Sequence, residues 1–132
     1  MADAVDILGT VFKNGTATLL ARVVGGDDTP LVQADVSAIT YSIHELDRHV
    51  PDTRVAVANH QSVSVSVAAS IFDTLQTDSR WTADETGYNF LHTIDIATNN
   101  AFEKAGTLYL VEYTILPVAG QKILVRFKLE CI

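Results

Sequence analysis

Cysteine is almost missing from this chain: Cys131 is the only one in 132 residues. No intrachain disulfide can form, so stability has to come from packing. Basic residues are scarce too, nine Lys and Arg against sixteen Asp and Glu, for a formal net charge of -7. A surface of that sign repels phosphate backbones and anionic lipid, which argues against nucleic acid and membrane surfaces as partners. It favours solubility and suits a basic protein partner. Unbroken apolar runs are far too short to span a bilayer. The opening "MADAVDILG" carries neither the basic region nor the apolar run of a secretory signal. The expected location is the cytoplasm where the chain is made, unless assembly or lysis carries it out. Neither a G-x-S-x-G elbow nor a G-x-x-x-x-G-K phosphate loop occurs.

What is present is alternation. In "SAITYSIHE", Ile39, Tyr41 and Ile43 share one face, and Thr40, Ser42 and His44 the other. Val63, Val65 and Val67 alternate with Ser62, Ser64 and Ser66. Ile123, Val125, Phe127, Leu129 and Cys131 oppose Leu124, Arg126, Lys128 and Glu130. Period-two runs of this kind predict half-buried antiparallel strands. They fall at residues 5–12, 17–24, 31–34, 36–45, 54–58, 62–67, 89–96, 107–116 and 122–131. Asn14-Gly15 between two such runs predicts a tight hairpin, and "PVAGQK" a second one. Asn14-Gly15-Thr16 also fits a glycosylation acceptor, a reading that the lack of a secretion signal disfavours.

Two short helical turns are expected: "SIFDTLQ", with Ser70 as N-cap and Asp73 at capping-box spacing, and "NAFEKAG", with Asn100, Glu103 and a closing Gly106. No repeat, low-complexity tract or linker interrupts residues 1–132. Nearly half the residues are apolar (48%), enough for the core of one domain. Many short strands with regular turn signals predict an all-β, two-sheet sandwich, with a small barrel as the alternative.

Residues that carry chemistry are dispersed. "HELDRH" offers His44, Glu45, Asp47 and His49 as the best metal candidates, but zinc needs convergent ligands. On a strand His44 points away from Glu45, and the arginine between Asp47 and His49 disfavours a cation. Asp27 and Asp28 lack the alternating oxygen ligands of a calcium loop. Asp84 and Glu85 are adjacent in a loop, where solvation accounts for them. Cys131 has no histidine nearby in sequence and reads as a strand residue. No catalytic, cofactor-binding or metal-binding residues are assigned, and no cofactor is expected. In "WTADETGYNFLHTIDI", Phe90, His92, Ile94 and Ile96 share a face. Trp81 is expected to close one end of the sandwich, and His92 to be a hydrogen-bonded histidine beside the core.

"LLARVVGGDDTPLVQADVSAITYSI", "SVSVAASIFDTLQTDSRWTADETGYNFLHTI" and "LYLVEYTILPVAGQKILVRFKLE" together resemble small structural proteins of tailed bacteriophages and prophages. The layout is also similar to immunoglobulin-like N-terminal domains of phage baseplate proteins. The resemblance covers residues 17–130, and its most distinctive part is the W…TGYNFxHT segment. It implies an immunoglobulin-like antiparallel β-sandwich. The implied role is a non-enzymatic virion component, a tail or baseplate adaptor or a capsid decoration. Such a component contacts other virion proteins as a homo-oligomer or multi-copy assembly. "AGTLYLVEY" is similar to the lead-in to a late immunoglobulin strand and casts Tyr109 in a corner role, at Gly-x-x-Tyr rather than Gly-x-Tyr spacing. The antibody cysteine pair and intervening tryptophan are missing. The other reading is a free carbohydrate- or protein-binding module that uses loops 25–30 and 82–87.

Overall fold

The computed structural model describes residues 6–25, 29–47, 49–50, 53–94 and 100–132. The strands are β1 (Asp6–Val11), β2 (Ala17–Ala21), β3 (Val36–Leu46), β4 (Arg54–Ala56), β5 (Val63–Val65), β6 (Ile71–Gln76), β7 (Tyr88–Ile94), β8 (Leu108–Pro117) and β9 (Ile123–Cys131). A 3-10 turn (Gln33–Asp35) precedes β3, and a one-turn helix α1 (Val67–Ser70) precedes β6. One sheet has the order β1-β9-β8-β3-β4, with β5 also on β3; the other is β2-β7-β6. With β4 and β5 counted as C′ and C″ beside strand C, the small sheet is B-E-D and the centre of the large one G-F-C, the strand grouping of an immunoglobulin-like sandwich.

Alternation puts the core between the layers. Ile39, Tyr41 and Ile43 of β3 are buried, as are Tyr109, Val111, Tyr113 and Ile115 of β8. Leu19 and Ala21 of β2 and Phe90 and Ile94 of β7 face them from the small sheet. Tyr113 sits at the centre. Its ring meets Phe90 at 4.8 Å, His92 at 5.4 Å, Tyr41 at 5.8 Å and Phe127 at 5.8 Å, three of these edge-on. Edge-to-face pairs add to the stabilisation from burial alone.

Several expectations are corrected. Asn14-Gly15 does make a turn, with Asn14 at φ 58° and the Gly15 N–H donating to the Phe12 carbonyl. It is no hairpin, because β1 runs parallel to β9 in the large sheet while β2 joins β7 in the small one. Both strands present apolar side chains to the core from opposite layers, so the chain crosses the end of the sandwich. The ladder is therefore not wholly antiparallel. "SIFDTLQ" is mostly strand β6 rather than a helical turn. Asp73 accepts the Gln33 N–H at 2.8 Å, and the Gln33 side-chain amide reaches the Ile71 carbonyl at 2.8 Å. The helical turn comes earlier, and Ser66, not Ser70, caps it by accepting the Ala69 N–H.

Residues 31–34 are not a strand: the 3-10 turn starts at Gln33. Nor are residues 100–106 a helix. Asn100 accepts the Phe102 N–H, and Phe102 is driven into the core against Tyr109. Residues 62–67 contribute only β5 and then enter α1. Ile96 and the end of the expected 89–96 strand lie outside the described residues, as do Asp27 and Asp28.

Asn89 was not singled out by any sequence pattern, yet it is 1% exposed. Its Oδ1 accepts the Val23 N–H at 2.7 Å, and its Nδ2 donates to the Val23 and Leu31 carbonyls, each at 2.9 Å. One side chain thus closes the loop between β2 and β3 onto β7. Replacing it with leucine strands the Val23 N–H and the Leu31 carbonyl, while the Val23 carbonyl keeps the Leu31 N–H at 3.0 Å. Asn89→Leu is expected to lower unfolding free energy by about 2–4 kcal/mol, read by urea denaturation. A loss under about 0.5 kcal/mol, within the range of an ordinary surface change, would show that the loop closes without it.

Candidate functional site

The segment that leads into β7 is the richest in side-chain chemistry. Asp84 is its hub. Its Oδ1 accepts the Trp81 indole N–H at 2.9 Å, the Thr86 N–H at 3.0 Å and the Gly87 N–H at 3.1 Å. Its Oδ2 takes Arg22 Nη1 at 2.6 Å. These donors, led by the Trp81 indole, hold the Asp84 carboxyl well below the usual carboxylate range. Arg22 also donates to the Gly87 carbonyl, which ties the end of β2 to this loop. Gly87 adopts φ +106°, and a Cβ there would stand 2.5 Å from the Gln76 carbonyl oxygen. Glycine is required by both conformation and space.

A second carboxylate completes the arrangement. Asp78 accepts the Tyr88 hydroxyl at 2.6 Å and Arg80 Nη2 at 3.1 Å. Led by the Arg80 hydrogen bond, these contacts pull the Asp78 carboxyl down to about 2. Trp81 packs on Tyr88 at 5.7 Å, and Phe72 meets Tyr88 edge-on at 5.9 Å. Trp81 therefore anchors the start of β7, as its position beside the turn implied. Its indole N–H is already committed, and loop 82–87 itself, Thr-Ala-Asp-Glu-Thr-Gly, carries no aromatic side chain. Both carboxylates are ionised acceptors fixed by donors, and neither is placed to carry a proton near neutral pH.

The other candidates are dispersed. His44 lies on the outer face of β3 and Glu45 on the inner, as alternation required. Glu45 pairs with Lys104 at 3.4 Å. Asp47 accepts the N–H groups of His49 and Val50 at 2.8 and 3.2 Å, which lowers its carboxyl pKa. "HELDRH" is thus a strand end and an Asx turn, and Arg48 lies outside the described residues. Among the described residues no group of three or more His, Cys, Asp or Glu could hold a metal ion. Cys131 is fully buried on the inner face of β9, and burial pushes its thiol pKa up, away from reactivity.

Tyr109 does turn a corner. Its hydroxyl accepts the Lys104 N–H at 3.1 Å, which pins the segment before β8 to the strand's start. This is the tyrosine-corner bond of immunoglobulin-like domains, made here with an extra residue after Gly106. A polar cleft of about 420 Å³ opens beside it, lined by Glu45, Asn59, Asn100, Glu103 and Lys104 along with apolar residues of the β4 segment.

Two imidazoles reach tyrosine hydroxyls. His92 Nδ1 lies 2.7 Å from the Tyr113 hydroxyl, across the gap between the sheets. His60 Nδ1 lies 2.9 Å from the Tyr41 hydroxyl. Burial pushes both tyrosine pKa values up and holds the His92 imidazole below its ordinary value. Tyr113 keeps its proton, and its hydroxyl is hydrogen-bonded to the neutral ring. His92 is the core-side histidine that the alternation placed there, and its partner is the feature sequence could not supply. No family model, curated protein or solved structure matches this chain.

Acid should expose the role of the two locked carboxylates. Each is depressed in the folded state, so the stability it contributes is complete above about pH 4 and falls as pH drops towards 2. Asp84→Asn places an amide NH2 or an uncharged oxygen against Arg22. It should lower the thermal midpoint at pH 7 and flatten the decline between about pH 4 and pH 2. Thermal scans across that range read both effects. An unchanged midpoint with an unchanged acid limb would contradict the assignment.

Proposed function

We propose that this chain is a non-enzymatic structural subunit of a tailed-phage particle. Its role is that of a tail or baseplate adaptor or a capsid decoration, and it works through protein–protein contacts along the edge of its large sheet. The observation that carries this reading is strand β1. Among the described residues β1 has β9 on one side and no strand on the other. The Lys13 N–H donates to the Ile132 carbonyl and the Ile132 N–H to the Val11 carbonyl, so Val11 and Lys13 turn their backbones towards the β9 side. By alternation, the backbone groups of Leu8 and Thr10 face away from it.

The side chains agree. Leu8 is 78% exposed, Phe12 70% and Ile132 56%. From Ile7 to Phe12 the edge carries no lysine, proline or other charge of the kind that blocks strand addition. An apolar, unguarded edge suits a partner strand that continues the sheet. The phage assignment rests on the resemblance in residues 17–130. The acidic net charge favours basic protein surfaces over nucleic acid.

Particles purified from an infected or induced host test the reading, by sedimentation followed by peptide mass spectrometry. The chain is expected to co-sediment with intact virions at a fixed copy number; its absence from them would refute the proposal. Leu8→Lys places a charge on the edge. It should change fold stability by no more than about 0.5 kcal/mol while sharply reducing incorporation into particles. Normal incorporation of that variant would exclude β1 as the contact.

A further inference from the structure

His92 stands where the two sheets meet, and its setting has a consequence beyond packing. From β8 it faces Tyr113, whose hydroxyl meets its Nδ1 at 2.7 Å. From β3 it faces Tyr41, 5.3 Å away between ring centres, and His60 lies on Tyr41's hydroxyl. Its ladder partner on β2 is Leu19, and α1 offers only valine, alanine and serine. The nearest carboxylate in sequence to Tyr113 is Glu112, which lies on the other face of β8 beside Arg126 at 3.7 Å. On β6, which pairs with β7, the one carboxylate is Asp73, and it is bonded to the Gln33 N–H. Among the described residues the rings against the imidazole are therefore the phenols of Tyr113 and Tyr41, and no carboxylate pairs with it.

We propose that His92 is a proton-operated latch between the sheets. In this proposal the resting ring carries its proton on Nε2; uptake of one proton from solvent turns Nδ1 from acceptor to donor, so the Tyr113 hydroxyl loses the acceptor it was using. A cation then occupies the gap with no carboxylate to balance it, and β7 loosens from β3 and β8 in mildly acidic solution. Burial already disfavours the charged ring in the folded chain. The unfolded chain titrates at the ordinary histidine value, so below it the unfolded state binds more protons than the folded one. The stability at stake is full above about pH 6.5 and declines as pH falls below that value.

Urea denaturation at several pH values between 8 and 5 tests this on the full chain, with His92→Gln as comparison. Glutamine can still bond Tyr113 but takes no proton. The wild-type folding constant should fall between about pH 6.5 and 5, by at most about tenfold per pH unit for one proton. That component should be missing in H92Q. On the wild type alone, NMR should show the His92 ring titrating below the free-histidine range, with faster amide exchange in β7 as it does. Identical pH dependence in the two proteins would overturn the latch. So would a His92 ring that titrates normally, or that takes a proton while β7 exchange stays constant; the NMR result decides if H92Q does not fold.

Discussion

The packing of Tyr113 is the constraint on which the rest of this sandwich depends. One ring from the large sheet touches Phe90 and His92 of the small sheet, and Tyr41 and Phe127 of its own. Its hydroxyl cannot be left alone in that interior, since an unpaired buried polar group is costly. His92 satisfies it from the opposite layer. The two sheets are therefore held in register by aromatic contact and by a directional bond, without the disulfide that antibody domains use there. With a single cysteine, buried at the far end of β9, no such bridge is possible.

Around that centre, the loops are closed by side chains acting as backbone substitutes. Asn89 supplies a donor and an acceptor to the β2–β3 connection, Asp84 gathers the turn before β7, and Tyr109 pins the approach to β8. Each is a polar group whose bonds are spent on structure. The carboxylates are held ionised and the thiol and phenols protonated. Among the described residues the outer edge of β1 is one of the sheet edges whose backbone groups have no partner strand.

Much of the layering was legible from period-two alternation. Ile39, Tyr41 and Ile43, and the odd-numbered residues of β9, lie inside as the pattern required, because which face a strand side chain takes is local information. Strand partners are not local. Asn14-Gly15 marks a turn whether the chain returns to the same sheet or crosses to the other, so the expected hairpin became a crossover. Capping-box spacing in "SIFDTLQ" was outweighed by pairing with β7 and by Gln33, a residue 40 positions from Asp73 in the sequence. The partners of Asn89, Asp84 and His92 were out of reach for the same reason. Asp84–Arg22 spans 62 positions and His92–Tyr113 spans 21.

The most direct measurement of this account is the equilibrium unfolding of Tyr113→Phe at neutral pH. The substitution keeps the aromatic ring and deletes only the hydroxyl bonded to His92 Nδ1. A stability loss of about 1 kcal/mol with the β-sheet spectrum unchanged is the predicted result. A variant as stable as the wild type, or more so, would contradict the claim that this bond joins the two sheets.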